Sequence, residues 1–201
     1  MIFRTISNSS PLMLASSSPR RKRLLKQIGL PFRSVPSNIP EEVNDAVLET
    51  VALARKKALA VHPSAPNSWI LGADTVVVLG GSVLGKPKDP SHARSMLHNL
   101  SGKEHKVITG FCLLYPGGSV AHSEAVTTHV RVKNLVENEI NAYVKTGEPF
   151  GKAGGYAIQG IGAFLVESIS GSYTNVVGLP VCAVVKALLK TGALKSFPLK
   201  S

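Results

Sequence analysis

Residues 12–27 read LMLASSSPRRKRLLKQ, a stretch whose pattern predicts a strand that leads directly into a helix. The apolar run Leu12–Ala15 predicts the strand. Ser18 is a suitable N-cap, and Pro19 suits the first helical position because its missing N–H would be unpaired there in any case. A strand that leads straight into a helix favours an α/β protein.

The start of this helix is suited to an anion. Free backbone N–H groups and the positive end of the helix dipole favour a phosphate there. The guanidinium groups of Arg20 and Arg21 would add charge and geometric fit. The alternative is an ordinary capped helix whose basic first turn faces water, and this stretch alone leaves both interpretations open.

Strand-like and helix-like segments alternate along the rest of the chain. Amphipathic spacing predicts further helices at about 46–61, 90–100, 137–145 and 180–190. Apolar or alternating runs predict further strands at about 32–35, 69–79, 106–115, 125–133 and 163–170, with a hairpin turn at Gly80–Gly81. Without an internal repeat or an obvious linker, residues 1–201 are predicted to form a single α/β domain with a mixed sheet.

Composition and charge narrow the class of partner. The 201 residues are 44% hydrophobic, which is enough to bury a substantial core. Lys and Arg number 23 against 12 Asp and Glu, and the formal charge of +11 suits polyanions. Because the basic residues are scattered, without a Lys/Arg block or interleaved aromatic residues, a small phosphorylated ligand is favoured over nucleic acid.

The cysteines and the apolar runs bear on the compartment. Cys112 and Cys182 lie in apolar surroundings without metal-type spacing, which predicts buried thiols in a reducing compartment. No apolar run approaches the roughly 20 residues of a membrane span, and the residues before Leu12 do not resemble a signal peptide. We therefore expect a cytoplasmic protein with no membrane contact.

Asp74 stands apart from the other carboxylates. It ends the apolar run WILGAD, residues 69–74, and Thr75 follows it. A carboxylate rarely enters such a strand without a cation, a metal or a hydrogen-bond donor as partner. Asp74 is therefore predicted to line a cleft as a functional group, with a paired structural aspartate as the alternative. Glu167, in FLVESI, is predicted to face solvent.

Two glycine-rich stretches suggest contacts to a ligand. Residues 80–86, GGSVLGK, have the spacing of a phosphate-binding loop, but Pro87 replaces the required Ser or Thr and prevents a helix from starting there. Lys86 remains a candidate phosphate contact, and an ordinary hairpin lysine is the alternative. In KAGGYAIQG, residues 152–160, Tyr156 could stack on a base and Gln159 could hydrogen-bond it, and an ordinary glycine-rich turn is the alternative.

Several segments together resemble the Maf family of nucleoside triphosphate pyrophosphatases. They are LASSSPRRKRLL, ALARKKALAV, GADTVV, LGKPKD, SGKEHKVITG, GEPFGKAGGYAIQG and GSYTNVVGLP, in this order from about Leu12 to Leu189. The GADT and GYAIQG forms are similar to the branch that acts on dTTP and UTP. The resemblance implies an elongated Maf/inosine-triphosphatase-like α/β fold, with a mixed twisted sheet flanked by helices and a cleft between two lobes.

The resemblance also implies the reaction and the residues that serve it. Hydrolysis between the α- and β-phosphates would give a nucleoside monophosphate and pyrophosphate, in a homodimer that uses Mg²⁺ or Mn²⁺. By motif, the proton acceptor is Asp74, the specificity positions are Arg20, Thr75 and Gln159, the phosphate contacts are Ser18, Arg21, Lys57 and Lys86, and the metal ligands are Asp74 and Glu41. The chain departs from the family's pattern at Pro40, Ala52 and Gly151.

The expected function is therefore hydrolysis of dTTP and UTP, with modified pyrimidine nucleotides as further candidates, so that non-standard nucleotides stay out of nucleic acid. Such a reaction needs charge neutralisation, a positioned base and a shielded site. Magnesium takes only one or two carboxylates besides substrate phosphates, so few acids suffice. One alternative is a nucleotide-binding regulator of septum formation that acts through a protein partner. The other is a non-specific nucleic-acid binder, although stable binding of nucleic acid is not expected.

Overall fold

The structure is a computed structural model that describes residues 3–39 and 46–199, with side chains in the second range from residue 49 onward. The chain divides into two compact units. Unit 1 comprises Met1–Asp74, Thr109–Val126 and Gly178–Ser201. Unit 2 comprises Thr75–Ile108 and Thr127–Val177.

Helices and strands alternate through the described residues. In chain order they are β1 (Leu12–Ala15), α1 (Pro19–Gln27), β2 (Phe32–Ser34), α2 (Ala46–Val61), β3 (Ile70–Leu79), β4 (Ser82–Leu84), α3 (Pro90–Leu100), β5 (Glu104–Leu114), β6 (Val120–Val132), α4 (Glu137–Lys145), β7 (Val166–Ser170), α5 (Tyr173–Val177) and α6 (Val181–Lys190). Short 3-10 turns lie at His62–Ser64, Ala153–Gly155 and Ile161–Leu165.

The strands of the described ranges form one mixed sheet. Their order is β2-β1-β3-β5-β6-β7, and β4 pairs with β3 outside this path. β1 runs parallel to β2 and to β3, whereas β4 is antiparallel to β3 and β7 is antiparallel to β6. The predicted α/β fold with a mixed sheet is confirmed, and the cleft between two lobes stays a prediction.

In unit 1, helix α2 lies very close to the sheet. A Cβ at Gly72 in β3 would lie 2.1 Å from the carbonyl oxygen of Ala54, and a Cβ at Gly110 in β5 would lie 2.4 Å from the carbonyl carbon of Thr50. On the helix, Ala54 and Ala58 are fully buried. Glycine in both strands and alanine on the helix therefore allow the two backbones to meet.

Unit 2 has its own apolar core, where α3 packs against α4. Helix α3 begins as predicted, with Asp89 as N-cap accepting a hydrogen bond from the His92 N–H at 2.8 Å and with Pro90 as its first residue. The buried members of this core are Val77, Ala93, Leu97, Leu100, Val107, Val130, Val132, Ile140, Tyr143, Val144, Tyr156 and Leu165.

Two local predictions were wrong. The strand predicted at 163–170 begins only at Val166, because Ile161–Leu165 forms a 3-10 turn after Gly160, whose φ is +84°. Cys182 is exposed on α6 rather than buried, whereas Cys112 is buried as predicted, and burial raises the pKa of its thiol to about 11. Within the part of the chain that the structure describes, no helix has the length and apolar character that crossing a membrane requires.

Candidate active site

Two serine hydroxyl groups accept hydrogen bonds from the backbone at the start of α1. Ser18 is the N-cap, and its Oγ accepts a hydrogen bond from the Arg21 N–H at 3.5 Å. Ser16 is buried, and its Oγ accepts from the Ser18 N–H at 3.2 Å. These two hydrogen bonds fix the backbone between β1 and α1. The first turn of the helix therefore has a defined position.

Arg21 turns inward from this helix start. Its Nε donates to the carbonyl oxygen of Gly178 at 2.8 Å, and its Nη1 donates to the Ser16 Oγ at 3.2 Å. The residue is 9% exposed, so the alternative in which the basic first turn faces water is wrong for Arg21. Arg20 is half-buried, and burial lowers the pKa of its guanidinium group from the ordinary value.

Asp74 has a buried cation as its partner. The Lys57 Nζ lies 2.7 Å from the Asp74 Oδ1, and the two side chains are 5% and 7% exposed. Buried charges are found in pairs because an isolated charge away from water is very costly. The partner expected of Asp74 is therefore Lys57, which the close approach of α2 to β3 brings to the carboxylate.

Thr75 and Lys86, two further predicted site residues, belong to unit 2. Thr75 follows Asp74 in β3 and is half-buried, and strand alternation directs successive side chains to opposite faces. Lys86 lies just after β4, with an exposed side chain before the buried Pro87. Their roles in specificity and phosphate contact stay predictions.

Gln159 presents a buried acceptor. Among the described residues, the Gln159 Oε1 has no hydrogen-bond partner although the atom is shielded from solvent. A buried acceptor without a partner costs about 1–3 kcal/mol. This oxygen is therefore suited to receive a hydrogen bond from a ligand.

Tyr156, which was predicted to stack on a base, belongs to the core instead. It is 6% exposed, and its hydroxyl lies 2.7 Å from the His105 Nε2. Burial raises the pKa of Tyr156 and lowers the pKa of His105 to about 4, so both groups are neutral at pH 7. The stacking prediction is contradicted, and the sequence analysis missed His105 because its partner is 51 residues away.

The predicted residues fall into two sets. Unit 1 holds Ser18, Arg20, Arg21, Lys57 and Asp74, whereas unit 2 holds Thr75, Lys86 and Gln159. Direct contacts join Ser18 to Arg21 and Lys57 to Asp74. Sequence analysis missed Ser16 and the Gly178 carbonyl, although the run of three serines before Pro19 was a signal for the former. Glu41, predicted as a metal ligand, lies outside the described residues.

These features define an α/β protein with a candidate anion-binding site at the start of a helix. The family model described as "Maf-like protein" matches residues 11–191. The chain belongs to this family, which confirms the resemblance seen in the sequence.

Relatives match this chain over most of its length. A dTTP/UTP pyrophosphatase of Syntrophotalea carbinolica is 46% identical over 197 residues, which cover 94% of this chain and 89% of that protein. A dTTP/UTP pyrophosphatase of Geobacter sulfurreducens is 48% identical over 186 residues, which cover 91% of this chain and 97% of that protein. Among solved structures, the Staphylococcus aureus Ham1 protein is 13% identical, with a TM-score of 0.46 over 78% of this chain and 80% of that chain.

Proposed function

We propose that this chain is a nucleoside triphosphate pyrophosphatase that hydrolyses dTTP and UTP, and modified pyrimidine nucleotides as further candidates, to the monophosphate and pyrophosphate. The observation that carries the proposal is the match to relatives named dTTP/UTP pyrophosphatase, at 46% and 48% identity over more than nine-tenths of the chain. The groups described in unit 1 suit such a reaction.

The start of α1 would bind phosphate. Backbone N–H groups at a helix start and the helix dipole attract an anion. Arg21 adds a guanidinium group that Ser16 and Gly178 hold in place, so little conformational entropy is lost when it binds. Ser18, Lys57 and Lys86 are the further phosphate contacts that we propose.

Asp74 would accept the proton of the attacking water. The water oxygen forms a bond to the α-phosphorus. At the same time, the bond between the α-phosphorus and the oxygen that bridges the α- and β-phosphates breaks. Pyrophosphate leaves with the electron pair, and the proton of the water passes to the Asp74 carboxylate. Lys57 holds that carboxylate in one orientation through the contact of 2.7 Å.

We propose Mg²⁺ or Mn²⁺ as the cofactor, with Asp74 and Glu41 as protein ligands. In the described ranges, no group of three or more His, Cys, Asp or Glu side chains could hold a metal. Magnesium nevertheless suits this donor set, because it binds through one or two carboxylates together with substrate phosphates and waters. When bound, the cation would supply neutralisation of phosphate charge.

Base selection would fall to Gln159, together with Arg20 and Thr75. Thymine and uracil carry an N–H donor at N3, whereas cytosine has an acceptor there. The buried Gln159 Oε1 is an acceptor and therefore complements thymine and uracil. A site built to pair a polar group discriminates strongly against an analogue that leaves the group unpaired.

We also propose that the protein is a cytoplasmic homodimer that binds neither membrane nor nucleic acid stably. Support for the compartment comes from its two cysteines, Cys112 and Cys182, which form no disulfide. Sedimentation equilibrium tests the dimer, since a mass near that of one chain would contradict it.

A nucleotide panel tests the proposed reaction. The protein is incubated with dTTP, UTP, dCTP, CTP, dATP and dGTP in Mg²⁺ or Mn²⁺, and pyrophosphate and orthophosphate are detected separately. We expect pyrophosphate from dTTP and UTP. Asp74→Asn should lower turnover by about 100-fold or more, whereas Glu167→Gln, at an exposed carboxylate on β7, should not.

Two outcomes would contradict the proposal. Release of orthophosphate alone, or no release, would exclude a pyrophosphatase. Nucleotide binding without turnover, with a specific protein partner in a pull-down, would favour the regulator.

A further inference from the structure

Gln159 lies in a turn formed by residues 157–162, which we call the Gln159 turn. The first residue of this turn is hydrogen-bonded to a buried tyrosine on α4. Tyr143 on α4 is 1% exposed, and its hydroxyl oxygen accepts a hydrogen bond from the Ala157 N–H at 3.1 Å. The same hydroxyl donates to the Glu148 carboxylate. Burial, together with this carboxylate, raises the pKa of Tyr143, so the hydroxyl keeps the proton that it donates.

The end of the Gln159 turn is held by Glu148. The Glu148 Oε1 accepts from the Ile161 N–H at 3.1 Å, and the Oε2 accepts from the Gly162 N–H at 2.7 Å. Charged acceptors make stronger hydrogen bonds than neutral ones. Tyr143 and Glu148 therefore form one connected anchor that holds both ends of the turn.

The glycines of the turn fit against this anchor. A Cβ at Gly160 would lie 2.3 Å from the Glu148 Oε1, and a Cβ at Gly162 would lie 2.5 Å from the Tyr143 hydroxyl oxygen. Gly160 also has a φ of +84°, which L side chains rarely adopt. The backbone can approach the two anchor side chains only because both positions lack a Cβ.

We propose that Tyr143 and Glu148 are positioning residues for base selection: they fix the Gln159 turn so that the Gln159 amide meets the N3–H of uracil or thymine. The inference rests on the proposed function, in which Gln159 contacts the base. A carboxylate offers an acceptor to each of two N–H groups, whereas the amide of Gln has one acceptor oxygen. Glu148→Gln therefore releases one contact to the turn and lets the Gln159 amide move.

The test measures kcat and KM for UTP and CTP with wild type, Glu148→Gln, Tyr143→Phe and Gln159→Ala. We expect each variant to lower the UTP-to-CTP ratio of kcat/KM by about tenfold or more. For Glu148→Gln the change should arise from a higher KM for UTP more than from kcat, because the groups of unit 1 are untouched. Adding Glu148→Gln to Gln159→Ala should lower the ratio no further, since both act through one contact.

Glu139→Gln is the matched control. Its carboxylate also accepts a backbone N–H, that of Val136 at 3.1 Å, but it does so at the start of α4 and pairs with Lys133. Loss of this contact should lower stability and leave the UTP-to-CTP ratio unchanged. If the role of Glu148 were purely structural, Glu148→Gln would likewise lower stability and leave the UTP-to-CTP ratio unchanged.

The outcomes separate the two proposals. An unchanged ratio in Glu148→Gln, in a wild type that releases pyrophosphate from UTP, overturns the positioning role and leaves the proposed function standing. Absence of pyrophosphate release by wild type overturns both. If Tyr143→Phe fails to fold, Glu148→Gln alone decides.

Discussion

The Lys57 ammonium group and the Asp74 carboxylate lie 2.7 Å apart, and both side chains are almost fully buried. Lys57 belongs to α2 and Asp74 to β3, so the pair joins a helix to the strand beneath it. Removing one partner of such a pair leaves a charge unpaired in the interior, which costs far more than the pair itself contributes.

The first prediction concerns this pair. Lys57→Met should lower the free energy of unfolding by about 3–5 kcal/mol. The double variant Lys57→Met/Asp74→Asn should lose less than the sum of the single variants, because it leaves no charge unpaired. Urea unfolding of the four proteins measures the coupling.

The exposed pair of Arg131 and Glu167 supplies the control for that experiment. Its side chains are 52% and 58% exposed, so the coupling in Arg131→Met and Glu167→Gln should be below about 1 kcal/mol. Additive losses at Lys57 and Asp74 would contradict the buried pairing.

The second prediction separates two neighbouring arginines. Arg21 donates to Ser16 and to Gly178, and a lysine cannot reproduce that fork, so Arg21→Lys should lower the free energy of unfolding by about 1–3 kcal/mol. Arg20→Ala should change nucleotide preference more than stability. Thermal unfolding and the nucleotide panel compare the two variants. A large loss of stability in Arg20→Ala with unchanged preference would instead indicate an ordinary capped helix.

Local chemistry explains which parts of this structure the sequence could predict. Ser18 with Pro19, and Asp89 with Pro90, mark the starts of α1 and α3 because capping depends only on residues within one turn. The resemblance to the Maf family predicted a phosphate contact for Lys57, but it did not predict that Lys57 pairs with Asp74.

Contacts between distant segments explain what was missed. The pairing of Lys57 with Asp74 depends on how α2 lies on β3, and Gly72, two residues before Asp74, was the available signal for that close approach. The prediction for Tyr156 failed for a similar reason. A tyrosine among glycines suggests a ligand contact, and the sequence does not show that His105, 51 residues away, lies beside its hydroxyl.

The third prediction is a dependence of stability on pH. Burial lowers the pKa of His105 to about 4 from its ordinary value of 6.5, so between these values the unfolded chain binds more protons than the folded one. Stability is therefore fully present above about pH 6.5 and falls as the pH drops toward 4, by about 3 kcal/mol over the whole window.

Urea unfolding at pH 7 and pH 4.5 measures this dependence. His105→Phe should be less stable than wild type at pH 7, because the Tyr156 hydroxyl loses its partner, yet its stability should change less with pH. His98→Phe, at an exposed histidine, should keep the wild-type dependence. Parallel pH profiles for wild type and His105→Phe would show that His105 is not responsible.

The fourth prediction concerns the contact between α2 and the sheet. Gly72→Ala places a methyl group 2.1 Å from the Ala54 carbonyl oxygen, so α2 must shift and Lys57 with it. We expect a loss of stability of about 3 kcal/mol and slower pyrophosphate release. Gly85→Ala is the control, since a Cβ there meets nothing within 4 Å. Wild-type behaviour of Gly72→Ala would mean that the helix tolerates a wider spacing.

The glycines beneath α2 also affect how genetic variants of this protein should be interpreted. In a screen for inactive variants, Gly72 and Gly110 would score together with Lys57 and Asp74, although neither glycine bears a group that reacts or binds. Ranking positions by lost activity would then assign catalytic importance to two glycines whose role is only to leave space for the helix. Abundance of the folded protein, measured beside activity, distinguishes the positions that give the helix room from those that act on the substrate.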